Sequence, residues 1–216
     1  MKSKLNTDLT EMLGIDFPII QAPMFLVSNT KMVIAASNSG ITGCIPAMNY
    51  RTLEGLRRAI KEVKNACSGP LGINLIVNKF NNKMVEQLAI CVDLKVDYII
   101  TSLGNPKSTI DACKPKGIKV FCDVVNLEHA KKVEALGADA LIAVNNKAGG
   151  HLGSMSPSEL IPLLVNNCSI PVISAGGVSN GDELEAILSL GACGVSIGTP
   201  FIATHEADIS NDYKQA

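Results

Sequence analysis

Eight short apolar runs recur along the chain, and the segments between them are amphipathic or polar. The runs cover residues 17–24, 41–47, 71–77, 96–102, 118–124, 138–144, 170–175 and 192–198. Each is nearly continuous in Ile, Val, Leu and Ala rather than alternating with polar residues. A strand with one wet face alternates, whereas a strand covered on both faces does not. The runs therefore predict parallel strands buried beneath helices. The 4% aromatic content and the absence of Trp require that this core be aliphatic.

The intervening segments carry helix signatures. Leu53, Leu56, Ile60 and Val63 fall on one helical face, with Thr52 as N-cap. Leu127, Ala130, Val133 and Leu136 repeat the pattern between Asn126 and Gly137, an N-cap and a C-terminal glycine. Ser156, Pro157 and Glu159 form a capping box with Pro at the first helical position. Leu184, Ile187 and Leu188 begin a further helix that Gly191 closes.

Eight strands alternating with helices imply right-handed βαβ units. The fold expected is α/β, a (β/α)8 TIM barrel, with a doubly wound open sheet as the alternative. No linker or low-complexity stretch divides residues 1–216, so one domain is expected. After the eighth run only residues 199–216 remain, and the last helix of the barrel is expected to be incomplete.

The net charge of −1 gives no electrostatic ground for nucleic-acid binding. No apolar run reaches the roughly 18 residues of a membrane span, and residues 1–11 lack the apolar core of a leader peptide. The seven cysteines are odd in number and never spaced CxxC, so neither a disulfide framework nor a metal site is expected. They read as structural thiols of a cytoplasmic protein.

In such a barrel the site lies at the C-terminal ends of the strands. The polar or glycine-rich residues there are Gln21-Ala22-Pro23-Met24, Pro46-Ala47, Asn74, Thr101-Ser102, Asp123, Lys147-Ala148-Gly149-Gly150-His151, Ser174-Ala175-Gly176-Gly177 and Gly198-Thr199. Glycines after strands seven and eight let backbone N–H groups approach an anion, so Gly176, Gly177, Gly198 and Thr199 are a candidate phosphate cradle. His151 can act as acid or base near neutrality, or can merely bond the backbone. His129 and His205 are expected to be solvated. Asn74 interrupts an apolar strand, and its amide would suit the edge of a planar heterocycle as well as it would suit a neighbouring strand. Asp123 is open between ligand binding and capping the next helix. Met24 and Phe25 are open between walling a pocket and packing the core. Lys147 is expected to face solvent.

Taken together, Gln21-Ala22-Pro23-Met24, Gly72-Ile73-Asn74, Ala148-Gly149-Gly150-His151, Ser174-Ala175-Gly176-Gly177-Val178 and the stretch from Gly191 to Phe201 resemble the nitronate monooxygenase family, once called 2-nitropropane dioxygenases. The resemblance runs from about Leu13 to the end of the chain. Flavin-dependent enoyl-ACP reductases form a sister family of similar layout.

The resemblance implies a barrel holding non-covalent FMN. Ala22, Pro23 and Met24 would line the flavin ring, and Asn74 would bond its edge. Asp123, Ala148, Gly149 and Gly150 would lie near the ring or ribityl chain. Gly176, Gly177, Gly198 and Thr199 would hold the phosphate, and His151 would be the catalytic base. The implied reaction oxidises an alkyl nitronate with O2 to a carbonyl compound and nitrite.

Leu152 follows His151 where many of the monooxygenases carry Arg, and the reductases tend to carry an aliphatic residue there. NADH-dependent reduction of an enoyl thioester is therefore one alternative. Family members usually continue well beyond the equivalent of Ala216, so the chain reads as truncated at its C-terminus, and a non-catalytic flavin-binding domain is the other alternative. An uncovered apolar face would favour a homodimer.

Overall fold

Every apolar run contains a strand: β1 Ile19–Gln21, β2 Thr42–Pro46, β3 Leu71–Ile76, β4 Tyr98–Ser102, β5 Lys119–Val124, β6 Ala140–Val144, β7 Val172–Ala175 and β8 Gly194–Ile197. Each pairs in parallel with the next, and β8 pairs with β1, so the sheet closes into a barrel. The computed structural model describes residues 5–150, 152–210, 212 and 214. The expected (β/α)8 fold is the fold found.

A helix α1, Asp8–Leu13, precedes β1. One helix then follows each strand: α2 Thr30–Asn38, α3 Leu53–Ala66, α4 Met84–Asp93, α5 Lys107–Cys113, α6 Leu127–Leu136, α7 Pro157–Asn167, α8 Gly181–Ser189 and α9 Thr199–Ile202. The helix-start signals act as expected. Thr52 Oγ1 accepts from the Gly55 N–H at 3.1 Å, and Asn126 Oδ1 from the His129 N–H at 2.8 Å. Glu159 reaches back to the Ser156 N–H at 2.8 Å to complete the capping box. After β8 comes the four-residue α9, and further on Asp212 and Lys214 are helical, with the Lys214 N–H donating to the Ser210 carbonyl at 3.2 Å. Between them the chain folds back on the start of α2, where Asn29 Nδ2 donates to the Glu206 carbonyl at 2.8 Å.

Period two along each strand divides the core into two layers. Ile45, Ile73, Leu75, Ile99, Val120 and Leu141 point outward and pack against Leu56, Ile60, Val63, Leu160 and Leu164 of the helices. Ile20, Cys44, Tyr98, Ile100, Phe121, Ile142 and Ile173 point inward. Inside the barrel Tyr98 stacks on Phe121 with ring centroids 5.1 Å apart. The Tyr98 hydroxyl lies 3.2 Å from Thr42 Oγ1 and donates to the Gly43 carbonyl at 3.2 Å. Gly72 makes room for this ring, since a Cβ there would stand 2.7 Å from the Tyr98 oxygen.

The N-terminal end of the barrel is plugged by Leu9 of α1, which joins the inner cluster with Met12 and Leu13 around it. The lower half of the barrel is therefore solid, and only the C-terminal mouth is left for a site.

Candidate functional site

The inward residues next above Gly72, Ile100 and Phe121 are Asn74, Ser102 and Asp123. Alternation alone thus lifts three polar side chains to the mouth on adjacent strands β3, β4 and β5. They are hydrogen-bonded in series. Asn74 Nδ2 donates to Ser102 Oγ at 2.8 Å and to the Ile100 carbonyl at 3.2 Å. Ser102 Oγ donates in turn to Asp123 Oδ2 at 2.5 Å. Both N–H bonds of Asn74 are used inside the protein, so what it presents to a ligand is its carbonyl oxygen.

Burial pushes the Asp123 carboxyl up to about 6, and the Ser102 hydroxyl pulls it part of the way back. Asp123 therefore faces the mouth as a titratable group. The helix after β5 is capped by Asn126, which settles the capping alternative for Asp123.

Across the mouth, β1 and β8 bring Ala22, Met24 and Gly198 together. A Cβ on Gly198 would lie 3.2 Å from Met24 Sδ and 3.8 Å from Ala22 Cβ. Ala22 N–H donates to the Ile197 carbonyl at 2.8 Å. The loop carrying Ala22, Pro23 and Met24 is folded around Ser28, a buried residue that the sequence did not single out. Ser28 Oγ donates to the Ala22 carbonyl at 2.8 Å and accepts from the Met24 N–H at 2.8 Å. Gln21 Nε2 donates to Ser28 Oγ at 2.8 Å and to the Ala22 carbonyl. Asn49, just after β2, ties the same loop through the Leu26 N–H and the Ser28 carbonyl, both at 2.8 Å.

The loops after β6 and β7 are packed on each other. Gly176 and Gly177 hold positive φ angles of +105° and +78°, a backbone conformation that glycine adopts without steric cost. A Cβ on Gly176 would lie 2.6 Å from Ala148 Cα, and one on Gly177 would lie 2.7 Å from Lys147 Cδ. Asn145, fully buried and also missed in the sequence, joins the two loops. Its Nδ2 donates to the Gly176 carbonyl at 3.1 Å and to Ser174 Oγ at 3.3 Å, while its Oδ1 accepts from the Lys147 N–H at 2.8 Å.

Lys147 is exposed, as are Gly149, Gly150 and Thr199. His129 and His205 are exposed too, in line with expectation. The candidate base His151 lies outside the described residues.

Phe25 is 61% exposed, which excludes core packing for it. Leu26, Met48, Phe80, Leu103 and Leu152 are exposed on neighbouring mouth loops, so the rim of this face is apolar. Leu26 and Leu103 also hold positive φ angles of 60°, a strained conformation for a branched side chain. Two shallow hollows lie away from this face. One, of about 310 Å³, is at the opposite end of the barrel among Lys95, Asp97, Lys116 and Lys119. The other, of about 380 Å³, lies beside α2 and α3. No helix among the described residues is long and apolar enough to cross a membrane.

Residues 6–216 match the family model described as nitronate monooxygenase. A nitronate monooxygenase of Paraburkholderia phytofirmans is 31% identical over 256 residues, covering 96% of this chain and 69% of that protein. A Rhodococcus jostii protein named (3aS,4S,5R,7aS)-5-hydroxy-7a-methyl-1-oxo-octahydro-1H-indene-4-carboxyl-CoA dehydrogenase is 32% identical over 98% of this chain. The chain spans 59% of the length of that relative. Among solved structures, FabK from Thermotoga maritima superposes with a TM-score of 0.92 at 32% identity, over 98% of this chain and 67% of its own.

Proposed function

The chain belongs to the nitronate monooxygenase family, and from that premise we propose that it holds FMN across the barrel mouth and oxidises alkyl nitronates with O2 to carbonyl compounds and nitrite. The observation that carries the proposal is the pair Gly176 and Gly177 after β7, packed against Ala148 and Lys147 of the loop after β6. A side chain is excluded at Gly176 by close backbone contact and crowded at Gly177 by the Lys147 stem, which leaves bare backbone of the kind a phosphate seat uses. Gly198 and Thr199 complete the seat from the neighbouring strand.

From this seat the isoalloxazine ring would reach over Ala22, Pro23 and Met24 towards Asn74. The carbonyl of Asn74 suits an N–H on the edge of the ring. Bound FMN supplies the electron transfer, and the protein supplies position and a dry surface. Ala148, Gly149 and Gly150 would border the ring or ribityl chain, and Asp123 would face the ring from β5. A nitronate is already an anionic carbon nucleophile, so its oxidation asks for little proton transfer. His151 would serve as base where a neutral nitroalkane is the substrate.

The test is spectroscopic first. The purified protein with FMN is expected to turn yellow, with absorbance near 450 nm, and then to consume O2 with ethylnitronate or propionate 3-nitronate. Bound FMN without O2 uptake on either nitronate would overturn the nitronate assignment.

The apolar rim and Leu152 favour a second reading, reduction of an enoyl thioester. A FabK fold neighbour and a relative named as a CoA-ester dehydrogenase support it. NADH consumption with crotonyl thioester, and none of the nitronate activity, would select this reading.

A further inference from the structure

We propose that Asp123 takes up a proton when the flavin ring closes over it, so that the site binds FMN together with one H+. The inference rests on the FMN reading above and concerns a charge that the reading does not use.

Its ground is the direction of the hydrogen bonds. The single proton of the Ser102 hydroxyl is committed to Asp123 Oδ2, and the Ser102 oxygen is itself occupied by Asn74. Asp123 Oδ2 is therefore satisfied whether the carboxyl is ionised or not. The other oxygen, Oδ1, has no protein hydrogen bond among the described residues. It is not among the side-chain oxygens that are both sealed and unpartnered, so solvent can reach it in the open mouth.

Among the described residues no cation offsets the charge; His151 lies outside them. The titratable groups that sense Asp123 are Cys44 on β2 and Cys122 beside it on β5, both thiols kept neutral by burial. From β4 the carboxyl meets Ser102, which Asn74 of β3 holds in turn. The mouth-level neighbours on β6 and β7 are Val144 and Ala175. Lys147, after β6, is committed elsewhere: its stem covers Gly177 and its charge acts on Glu183 of α8.

A planar ring laid over the strand ends removes the water from Oδ1. An ionised carboxylate would then be buried without a partner, which is far more costly than burying the neutral acid. A protonated Oδ1 can moreover donate to a carbonyl or imine nitrogen of the ring. Burial already holds the Asp123 carboxyl at about 6 before any ligand arrives, so roughly one molecule in ten is protonated at pH 7 and a modest further rise completes the uptake. The proton comes from solvent, and the balance is one H+ taken up for each ring bound.

The experiment is calorimetric titration of the full chain with FMN at pH 7.5, in buffers of different ionisation enthalpy, for wild type and Asp123→Asn. Riboflavin is run in parallel, because it lacks the ionising phosphate of FMN. Wild type is expected to take up close to one proton per flavin, and its Kd for riboflavin to rise by up to about tenfold per pH unit above neutrality. Asp123→Asn is expected to take up none and to show a flat Kd.

Ser102 is a positioning residue in this scheme. Ser102→Ala removes the one donor that favours the ionised form, and should move the onset of the pH dependence upward, while Ser102→Thr should keep it. Flavin binding without proton uptake, or with equal uptake in Asp123→Asn, overturns the inference and leaves the FMN reading standing. Failure of both proteins to bind either flavin at any pH overturns the FMN reading and this inference together.

Discussion

Gly176 turns its bare α-carbon onto the backbone of Ala148, so that the loop after β6 forms the rear wall of the loop after β7. The two glycine motifs of the sequence are thus one structural unit. Gly176→Ala would press a methyl against backbone atoms at a φ of +105°, where neither the main chain nor a side-chain rotation can relieve it. A loss of about 2–4 kcal/mol is expected from the clash and the strained φ together. FMN affinity should fall at least tenfold. Gly117→Ala, far from the mouth, is the control. It shares a positive φ, but a Cβ there meets nothing within 4 Å. It should cost only about 1 kcal/mol. Thermal denaturation and flavin fluorescence quenching measure both, and equal effects from the two substitutions would show that close packing is not what matters.

Asn145 is the pin between these loops, with its amide bonded to Ser174, Gly176 and Lys147. Asn145→Leu would keep the volume and leave those buried groups unpaired. The cost expected is about 2–4 kcal/mol, with a parallel loss of FMN binding and faster proteolysis within residues 145–153. An unfolding midpoint equal to wild type would show that the loops hold without it.

The eight runs gave away the barrel because strands covered on both faces must be apolar almost throughout, and each run holds one strand. Their lengths were less legible. The run at 17–24 yields only Ile19–Gln21, since the neighbouring prolines at 18 and 23 cannot donate to a ladder. The plug helix α1 went unread because its start is polar. Thr7 and Thr10 form its capping box, and Leu9 reaches the barrel core from an otherwise hydrophilic stretch.

In the candidate site, glycines and strand-end polar residues announced themselves by position. Ser28 and Asn145 did not, because their roles are contacts to backbone that only the folded loops bring near. The pairing of Ser102 with Asp123 was hidden for a similar reason. Both stood out as polar strand ends, but that they face inward side by side depends on the register of β4 and β5.

Asn74→Leu tests the mouth chain from its other end. It removes the carbonyl offered to a ligand and the donor to Ser102. Ser102 can still donate to Asp123, so the fold should lose no more than about 1–2 kcal/mol. FMN binding should weaken by about tenfold or more, since one buried hydrogen bond to the ring is lost. Unchanged FMN affinity would remove Asn74 from the site.

The charge on Asp123 also carries a stability prediction that needs no ligand. Its carboxyl is held at about 6 in the fold, against about 4 in an unfolded chain. The folded state therefore binds the proton more tightly. Whatever stability this proton adds is complete below about pH 4 and is lost as the pH rises through 6. Above pH 6 the folded protein carries an unpaired carboxylate at a constant cost. Two pH units set that cost at no more than ~3 kcal/mol, and water reaching Oδ1 reduces it. Asp123→Asn keeps the acceptor for Ser102 and removes the charge. It should therefore raise the unfolding midpoint by several degrees at pH 8, by about 2–4 °C per kcal/mol for a chain of this size, and by little at pH 4.5. An equal gain at both pH values would mean that the gain comes from packing. A loss at pH 8 would mean that a cation pairs with Asp123 in solution.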